Sequence, residues 1–180
     1  VSCTQNIEVS DETAPSITTE ASSSSVECDG SGNNGAFNAW LNVKGGAAAV
    51  DACSNVIWTN NSVGLSDGCG ATGSETVTFT ATDACGNYST TTATFTIVDT
   101  TDPVIVADIE TAVPCDDYNN TTAYAFSASD VCSGDDVAVA ISDMFMSGPC
   151  AGTINRTYTV TDACGNESTF DQIINLTDEV

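Results

Sequence analysis

Acidic side chains are the residues of this sequence with the clearest capacity for chemistry. The 180-residue chain has 25 Asp and Glu, only Lys44 and Arg156 as basic residues, no histidine, and a formal net charge of −23. Such a surface repels phosphate backbones and anionic membranes and attracts cations, which argues against nucleic-acid binding and membrane insertion. A plainer role also fits, because acidic surfaces keep secreted proteins soluble.

Catalysis has little support in these residue types. Without histidine, the usual Ser/His/Asp and Cys/His nucleophilic sites cannot form. A carboxylate pair for glycoside hydrolysis is compatible with the composition. However, the acidic residues recur at predicted domain ends and do not gather in one elaborated cleft. We therefore predict that the protein is not an enzyme.

Nine cysteines indicate an oxidising environment. The sequence has no Cys-x-x-Cys pair and no Cys/His cluster at zinc spacing, so zinc is not expected. Spaced cysteines in a Thr- and Ser-rich chain predict disulfides and an oxidising, extracytoplasmic compartment. No apolar run approaches the length of a membrane span, and we expect the chain to be an excerpt of a longer protein.

A repeated strand-and-turn pattern predicts the architecture. In residues 76–82, apolar Val77, Phe79 and Ala81 alternate with threonine, the period of a half-buried strand, and Asp-Ala-Cys-Gly-Asn follows as a turn. The same pattern returns at residues 157–166. Self-similarity of this kind indicates tandem small β domains. Each repeat offers about six or seven short strands, so we predict an all-β protein of two immunoglobulin-like antiparallel β-sandwiches.

The predicted domains are repeat one at residues 11–98 and repeat two at residues 99–180. Residues 1–10 match the last strand of each repeat, so they either end a preceding repeat or pair with a neighbouring molecule. The inserted segment 32–46 in repeat one predicts a short helix ended by two glycines. Its Phe37 and Trp40 either cover the core or form a platform for sugar stacking.

The order of the predicted strands suggests how the cysteines pair. In an immunoglobulin-like sandwich, the turn after the second strand and the turn before the last strand lie at the same end. The other two cysteines of each repeat lie at the opposite end. We therefore predict four disulfides, Cys53–Cys85, Cys28–Cys69, Cys132–Cys164 and Cys115–Cys150. Cys3 is left over, with either a partner outside these residues or an intermolecular one.

Acidic residues are predicted to converge at the end of each repeat that receives the linker. Hard oxygen ligands without histidine favour Ca²⁺ over transition metals. The alternative is that Asp83 and Asp162 only accept hydrogen bonds from turn amides. The candidate calcium ligands are Asp99, Asp102, Asp130, Asp135 and Asp162 in repeat two, and Asp11, Glu12, Asp51 and Asp83 in repeat one.

Two segments carry a resemblance to a known family. The sequence TVTFTATDACGNYSTTTATFTIVDTTDP at residues 76–103, echoed by RTYTVTDACGNESTFDQIINLTDE at residues 156–179, resembles hyalin-type (HYR-like) immunoglobulin-like repeats. The four-cysteine form, with DACS, NAWL and D-x-C-G-N, looks like the repeats of giant Bacteroidetes cell-surface adhesins. Those include the gliding-motility adhesin exported by type IX secretion. Repeat two lacks the helical insertion and is a divergent copy.

The resemblance implies a stalk or filament of many such domains. We therefore predict a structural or adhesive repeat of an extracellular bacterial surface protein that serves cell adhesion or gliding. The expected partners are neighbouring copies of the repeat and surface polysaccharide. The competing prediction is a carbohydrate- or protein-binding module that uses Phe37 and Trp40.

Overall fold

Two β-rich units make up the part of the chain that this computed structural model describes, residues 3–146 and 152–178. Of these residues, unit 1 contains 3–26, 33–67 and 73–97, and unit 2 contains 27–32, 68–72 and the rest from residue 98 onward. Residues 3–10 form no strand, and Ile7 and Val9 are exposed. The predicted repeat boundaries and the strand pairing of residues 1–10 stay predictions.

Both units have the same sheet order, one four-stranded sheet and one two-stranded sheet. In unit 1 the sheets are β2-β6-β5-β4 and β1-β3, built from β1 (Ser16–Thr19), β2 (Ser24–Glu27), β3 (Ala48–Val50), β4 (Ile57–Asn60), β5 (Gly73–Thr82) and β6 (Tyr88–Val98). In unit 2 they are β8-β12-β11-β10 and β7-β9, built from β7 (Val104–Ala107), β8 (Glu110–Pro114), β9 (Phe126–Ser129), β10 (Ala138–Phe145), β11 (Thr153–Thr161) and β12 (Glu167–Thr177).

This architecture confirms the predicted all-β fold with two sandwich-like units and one short helix, α1 (Asn34–Asn42), in the first. The pair of β8 and β12 departs from the predicted antiparallel arrangement, since β8 runs parallel to β12. A parallel pair needs a long connection between its strands, and the chain from β8 to β12 provides one.

The core of unit 1 forms where α1 covers the larger sheet. Phe79 and Phe95 point inward from β5 and β6, as the alternating pattern predicts. The Trp40 ring lies 5.4 Å from the Phe79 ring and 5.6 Å from the Phe95 ring, and Phe37 lies 5.4 Å from Phe95. Phe37 is only 6% exposed and Trp40 only 8%. The hypothesis of a sugar-binding platform on these two rings is therefore wrong, because burial leaves neither ring face available.

Gly45 closes the helical segment against the chain that precedes it. Its φ is 61°, and its carbonyl accepts a hydrogen bond from the Ser22 amide at 2.9 Å. An added Cβ would lie 3.1 Å from the Ser22 carbonyl oxygen and 3.3 Å from Trp40 Nε1, which itself donates to that oxygen at 3.0 Å. The position requires glycine for both its backbone conformation and its space.

We expect Gly45→Ala to lower the free energy of unfolding by about 1–2 kcal/mol, the cost of placing a Cβ in the left-handed region. Gly35→Ala is the matched control, because an added Cβ there meets nothing within 4 Å. Since alanine favours helices, Gly35→Ala should stabilise by up to about 1 kcal/mol. Urea denaturation monitored by circular dichroism measures both, and equal effects of the two substitutions would contradict the assignment.

A polar network occupies the interior of unit 2. Arg156 is fully buried on β11, on the same face of the strand as the buried Tyr158 and Val160. Its guanidinium binds Asp143 through two bonds, Nε to Oδ1 at 2.6 Å and Nη2 to Oδ2 at 2.8 Å. Burial alone would lower the pKa of Arg156, but hydrogen bonds with Asp143 and Tyr158 hold it above its ordinary value.

Further contacts complete this network. Arg156 also donates to the carbonyl oxygens of Thr122 and Asn119, and it lies over the Tyr118 and Tyr124 rings at 5.6 and 5.2 Å. Tyr118 donates a third hydrogen bond to the Asp143 carboxylate. Every polar atom of the guanidinium group named here has a partner, as a buried charge requires.

Two disulfides of unit 2 correct the predicted pairing. Cys28 is bonded to Cys132 and Cys69 to Cys164, with Cα–Cα distances of 5.7 and 5.1 Å. The predicted Cys28–Cys69 and Cys132–Cys164 bonds are therefore wrong. The physical reason is that segments 27–32 and 68–72 belong to unit 2, so each brings its cysteine to a turn of that unit.

The remaining cysteines differ in state. Among the described residues, Cys3, Cys53 and Cys85 have free, exposed thiols, so the predicted Cys53–Cys85 bond is absent from this structure. Cys115 is disulfide-bonded. Its predicted partner Cys150 lies outside the described residues, and the Cys115–Cys150 pairing stays a prediction.

Candidate metal centres

Three aspartates come together in unit 2. Asp99 lies on the segment that leads into β7, Asp130 directly follows β9, and Asp162 directly follows β11. One carboxylate oxygen from each residue lies within 4.8 Å of the other two. Asp130 and Asp162 are each only 6% exposed.

Unit 1 has an equivalent triad. Asp11 lies on the segment that leads into β1, Asp51 directly follows β3, and Asp83 directly follows β5. Their oxygens also lie within 4.8 Å of one another, and Asp83 is 4% exposed. The same three positions of the fold therefore carry aspartate in both units.

In each triad, one oxygen of every aspartate closes a turn. In unit 2, Oδ1 of Asp99 accepts from the Thr101 amide at 3.2 Å, and Oδ1 of Asp130 accepts from the Cys132 and Ser133 amides at 2.7 and 2.8 Å. Unit 1 has the same arrangement, with Thr13 donating to Asp11 and Cys53 and Ser54 donating to Asp51. Such side-chain-to-backbone bonds are usual for aspartate in turns. They fix the direction of each carboxylate.

The second oxygen of several of these aspartates has no partner. Oδ2 of Asp11, Asp99 and Asp130 is buried and accepts no hydrogen bond from any described residue. A buried anionic oxygen without a partner carries its full desolvation cost, and such an atom indicates an unseen ion or water. In Asp11, Asp99 and Asp130, the turn hydrogen bonds therefore account for only one of the two carboxylate oxygens.

Two asparagines brace the triads. Asn166 Nδ2 donates to Asp162 Oδ2 at 2.7 Å and to the carbonyl oxygen of Asp99 at 3.3 Å. In unit 1, Asn87 Nδ2 donates to Asp83 Oδ2 at 2.7 Å and to the carbonyl oxygen of Asp11 at 3.0 Å. Each asparagine therefore ties the third aspartate to the backbone of the first.

The carboxylates differ in their protonation equilibria. Burial raises the pKa of Asp99 above its ordinary value, and the charges of Asp130 and Asp162 raise it further, against a hydrogen bond from Thr101. Burial also acts to raise the pKa of Asp162, but hydrogen bonds from Asn166 and the turn amides outweigh it and lower the pKa. Asp83 behaves in the same way with Asn87.

The free thiol of Cys53 lies in the field of the unit 1 triad. The charge of Asp11, then burial and the charge of Asp51, raise the pKa of this thiol above its ordinary value. A raised pKa keeps the sulfur protonated at neutral pH, and the protonated form is a poor metal ligand. The available donor set of the unit 1 triad therefore consists of oxygen atoms.

Six of the nine predicted ligands belong to these two triads, and three do not. Asp102, Asp135 and Glu12 are absent from both clusters of described residues. Sequence reasoning also missed Asn87 and Asn166. The signal was available, because each asparagine ends the repeated Asp-Ala-Cys-Gly-Asn turn, where its side chain can reach back to the aspartate.

Comparisons with known proteins give only distant structural matches. No protein-family model and no curated protein sequence matches the chain. Among solved structures, it is similar to Drosophila N-cadherin EC1–4, at 12% identity and a TM-score of 0.39, with 92% of this chain and 50% of that chain covered. The likeness is distant.

Two protocadherin structures show similar values. The match to protocadherin gamma B2 extracellular cadherin domains 3–6 has 12% identity and a TM-score of 0.36, and covers 90% of this chain and 47% of that chain. Protocadherin gamma C5 EC1–3 matches at 12% identity and a TM-score of 0.33, over 92% of this chain and 68% of that chain. The chain spans about half the length of the first two structures. Separately, none of the helices in the described residues is long and apolar enough to span a membrane.

Proposed function

We propose that this chain is a pair of calcium-stabilised repeats of an extracellular structural or adhesive protein. The observation that carries the proposal is a buried, unpartnered Oδ2 at one equivalent position of both triads, Asp11 and Asp99, with a further one on Asp130 in unit 2. Disulfide bonds support the extracellular location, because they persist in oxidising compartments.

Calcium suits the donor set of each triad. Three carboxylates offer hard oxygen ligands. Water molecules would complete the coordination shell of about six to eight oxygens that Ca²⁺ takes. The turn amides already hold one oxygen of each aspartate, so the remaining oxygens are oriented before a cation arrives. A divalent cation would also offset the mutual repulsion of three carboxylates placed within 4.8 Å.

We expect Ca²⁺ to raise the melting temperature of the whole chain. Extracellular calcium modules bind with dissociation constants of about 0.1–1 mM, so 10 mM Ca²⁺ should stabilise each unit by about 1.5–3 kcal/mol. Differential scanning calorimetry in chelator-treated buffer, with CaCl₂ added stepwise, measures this. NaCl at matched ionic strength is the essential control, because the net charge of −23 makes any salt stabilising.

Two substitutions connect the response to the triads. Asp130→Asn in unit 2 and Asp51→Asn in unit 1 keep the Oδ1 that accepts the turn amides but remove the charge from the candidate site. Each should abolish the calcium increment of its own unit. Asp116→Asn changes an exposed carboxylate and should leave the increment unchanged. An equal response to Ca²⁺ and NaCl, or a full calcium response in Asp130→Asn, would contradict the proposal.

The finer proposal follows from the sequence resemblance. We infer that the chain is a stalk repeat of a giant Bacteroidetes surface adhesin that is exported by type IX secretion. The adhesin would serve gliding or surface adhesion. Its partners would be neighbouring repeats and surface polysaccharide. The role is structural, with no enzymatic activity, and adhesion would come from many weak contacts along a long molecule. Antibodies raised against this chain should label intact, unpermeabilised cells that produce it. Labelling only after permeabilisation would overturn the location.

A further inference from the structure

Unit 1 carries two cysteines in the same pair of turns that carries two bonded cysteines in unit 2. The turn sequences are Asp-x-Cys-Ser and Asp-Ala-Cys-Gly-Asn in both units. Asp Oδ1 accepts from the cysteine amide at 2.9 Å for Cys53 and Cys85, and at 2.7 and 2.8 Å for Cys132 and Cys164. Equivalent backbone turns therefore hold the cysteines of both units.

A serine links the two turns in each unit. Ser54 Oγ accepts from the Ala84 amide at 3.0 Å in unit 1, and Ser133 Oγ accepts from the Ala163 amide at 3.2 Å in unit 2. The two cysteine turns of each unit are thus joined into one surface. We call the unit 1 surface, formed by residues 51–54 and 83–87, the cysteine face.

In unit 2 the equivalent surface is covered by two short cysteine segments. Segment 27–32 brings Cys28 to Cys132, and segment 68–72 brings Cys69 to Cys164. Backbone contacts accompany the disulfides, since the Ala71 amide donates to the Cys132 carbonyl at 3.0 Å.

Glycines allow these segments to lie close to the turns. A Cβ added to Gly30 would lie 2.5 Å from the carbonyl oxygen of Val131, and one added to Gly70 would lie 2.9 Å from the carbonyl oxygen of Cys132. Both glycines have positive φ. Segments 27–32 and 68–72 are therefore fitted to this surface by more than their sulfur atoms.

The cysteine face of unit 1 has no such cover among the described residues. Cys53 and Cys85 are exposed and unbonded there. Their equivalents in unit 2 do not bond to each other, because each bonds to its own segment. The cysteine face therefore has the two thiols and the two turns that bind cysteine segments in unit 2. Among the described residues, no such segments are bound to it.

We propose that the cysteine face is the attachment site for a further β-sandwich repeat of the same kind, through two disulfides. The partner contributes two glycine-containing cysteine segments like 27–32 and 68–72, which bond to Cys53 and Cys85 respectively. This inference rests on the proposed role as a tandem repeat and names the chemistry that joins successive repeats. In the sequence, the two segments of this chain directly follow β2 and directly precede β5.

The chemistry is thiol oxidation. In each bond, the thiol of the face and the thiol of the partner segment lose two electrons and two protons in total, and one S–S bond forms. The oxidant is a disulfide, either glutathione disulfide or an oxidised thiol–disulfide oxidoreductase, which becomes two thiols.

The test adds a repeat in front of residues 11–180. In the extended protein, residues 11–98 precede residues 11–180, and the added copy carries Cys53→Ser and Cys85→Ser so that only the inner cysteine face remains. After equilibration in a glutathione redox buffer, alkylation and non-reducing peptide mapping locate the bonds. Cys28–Cys132 and Cys69–Cys164 peptides report correct folding of unit 2 in the same sample.

The proposal expects two additional peptides, Cys28–Cys53 and Cys69–Cys85, and loss of alkylation at Cys53 and Cys85. A matched extended chain with Cys28→Ser and Cys69→Ser in the added copy should keep both thiols alkylatable. Free thiols at both positions of the first chain, or a Cys53–Cys85 peptide, would overturn the proposal. The calcium response of the unextended chain is measured separately, so failure of one proposal is distinguishable from failure of the other.

Discussion

Replacing Cys28 and Cys132 together by alanine is expected to lower the free energy of unfolding of unit 2 by about 4–5 kcal/mol. The two residues are separated by 104 positions in the sequence, and Cys69 and Cys164 by 95. A cross-link that closes a loop of about 100 residues restricts the unfolded chain by about 4.7 kcal/mol in the chain-entropy treatment. Removing Cys69 and Cys164 should have a similar effect.

The second disulfide contributes less once the first is present, because the two loops overlap in the sequence. Each single loss is therefore reduced by the bond that remains, and removing both bonds should cost more than the sum of the two separate losses. Guanidinium denaturation under non-reducing conditions, read by hydrogen exchange of unit 2 peptides, measures each loss.

The matched control is the double substitution Cys53→Ala and Cys85→Ala, which removes two exposed, unbonded thiols. Surface changes of this kind usually stay within about 0.5 kcal/mol. Equal losses in the control and in the disulfide variants would contradict the bonding described here. Isolation of a Cys28–Cys69 peptide from the native chain would contradict it directly.

Arg156→Met should destabilise unit 2 by about 3–5 kcal/mol. The substitution leaves the Asp143 carboxylate, which is 9% exposed, without its cation, and removing one member of a buried ion pair typically costs this much. It also removes the hydrogen bonds that Arg156 donates to the carbonyl oxygens of Thr122 and Asn119. Lys44→Met is the control, because it removes the chain's other basic residue from a half-buried position of unit 1.

A compensating variant separates charge burial from simple packing. The double variant Arg156→Met and Asp143→Leu removes both charges and should recover part of the loss, since apolar replacements of buried pairs are often neutral. No recovery would show that the geometry of the network, and not the unpaired charge, dominates. Hydrogen exchange of β10 and β11 peptides provides the readout.

The ion pair of Asp143 and Arg156 should make the stability of unit 2 depend on pH. Burial acts to raise the pKa of Asp143, but hydrogen bonds from Arg156 and Tyr118 hold it below the ordinary value of 3.8. Its contribution is therefore complete above pH 3.8 and is lost as the pH falls through the lower folded-state value. The stability difference between wild type and Asp143→Asn should shrink only below about pH 3.8. A constant difference down to pH 2 would contradict this coupling.

Local patterns in the sequence were sufficient for the strands and for the positions of the acidic residues. Alternation of Val77, Phe79 and Ala81 with threonine correctly predicted the buried face of β5, because side chains of a strand alternate between its two faces. The repeated turn placed Asp83 and Asp162 at strand ends. These features depend on neighbouring residues alone, so the sequence by itself determined them.

The fate of Arg156 depended on packing between distant parts of the chain. It shares a strand face with Tyr158 and Val160, so its inward direction could have been predicted from the alternation. That unit 2 can bury this charge could not have been predicted, because the partners of Arg156, which are Asp143 and two backbone carbonyl groups, come from other segments. Unit 1 fills the corresponding space with α1 and its two aromatic rings.

Cysteine pairing and the metal triads were decided only by the tertiary structure. The pairing prediction assumed that each repeat encloses its own cysteines, whereas segments 27–32 and 68–72 belong to unit 2 and carry Cys28 and Cys69 with them. In the triads, residue type and strand end indicated cation chemistry. Which carboxylates meet within 4.8 Å, and which oxygens remain without a hydrogen bond, depends on how three separate strand ends converge. Sequence spacing carries no information about that convergence.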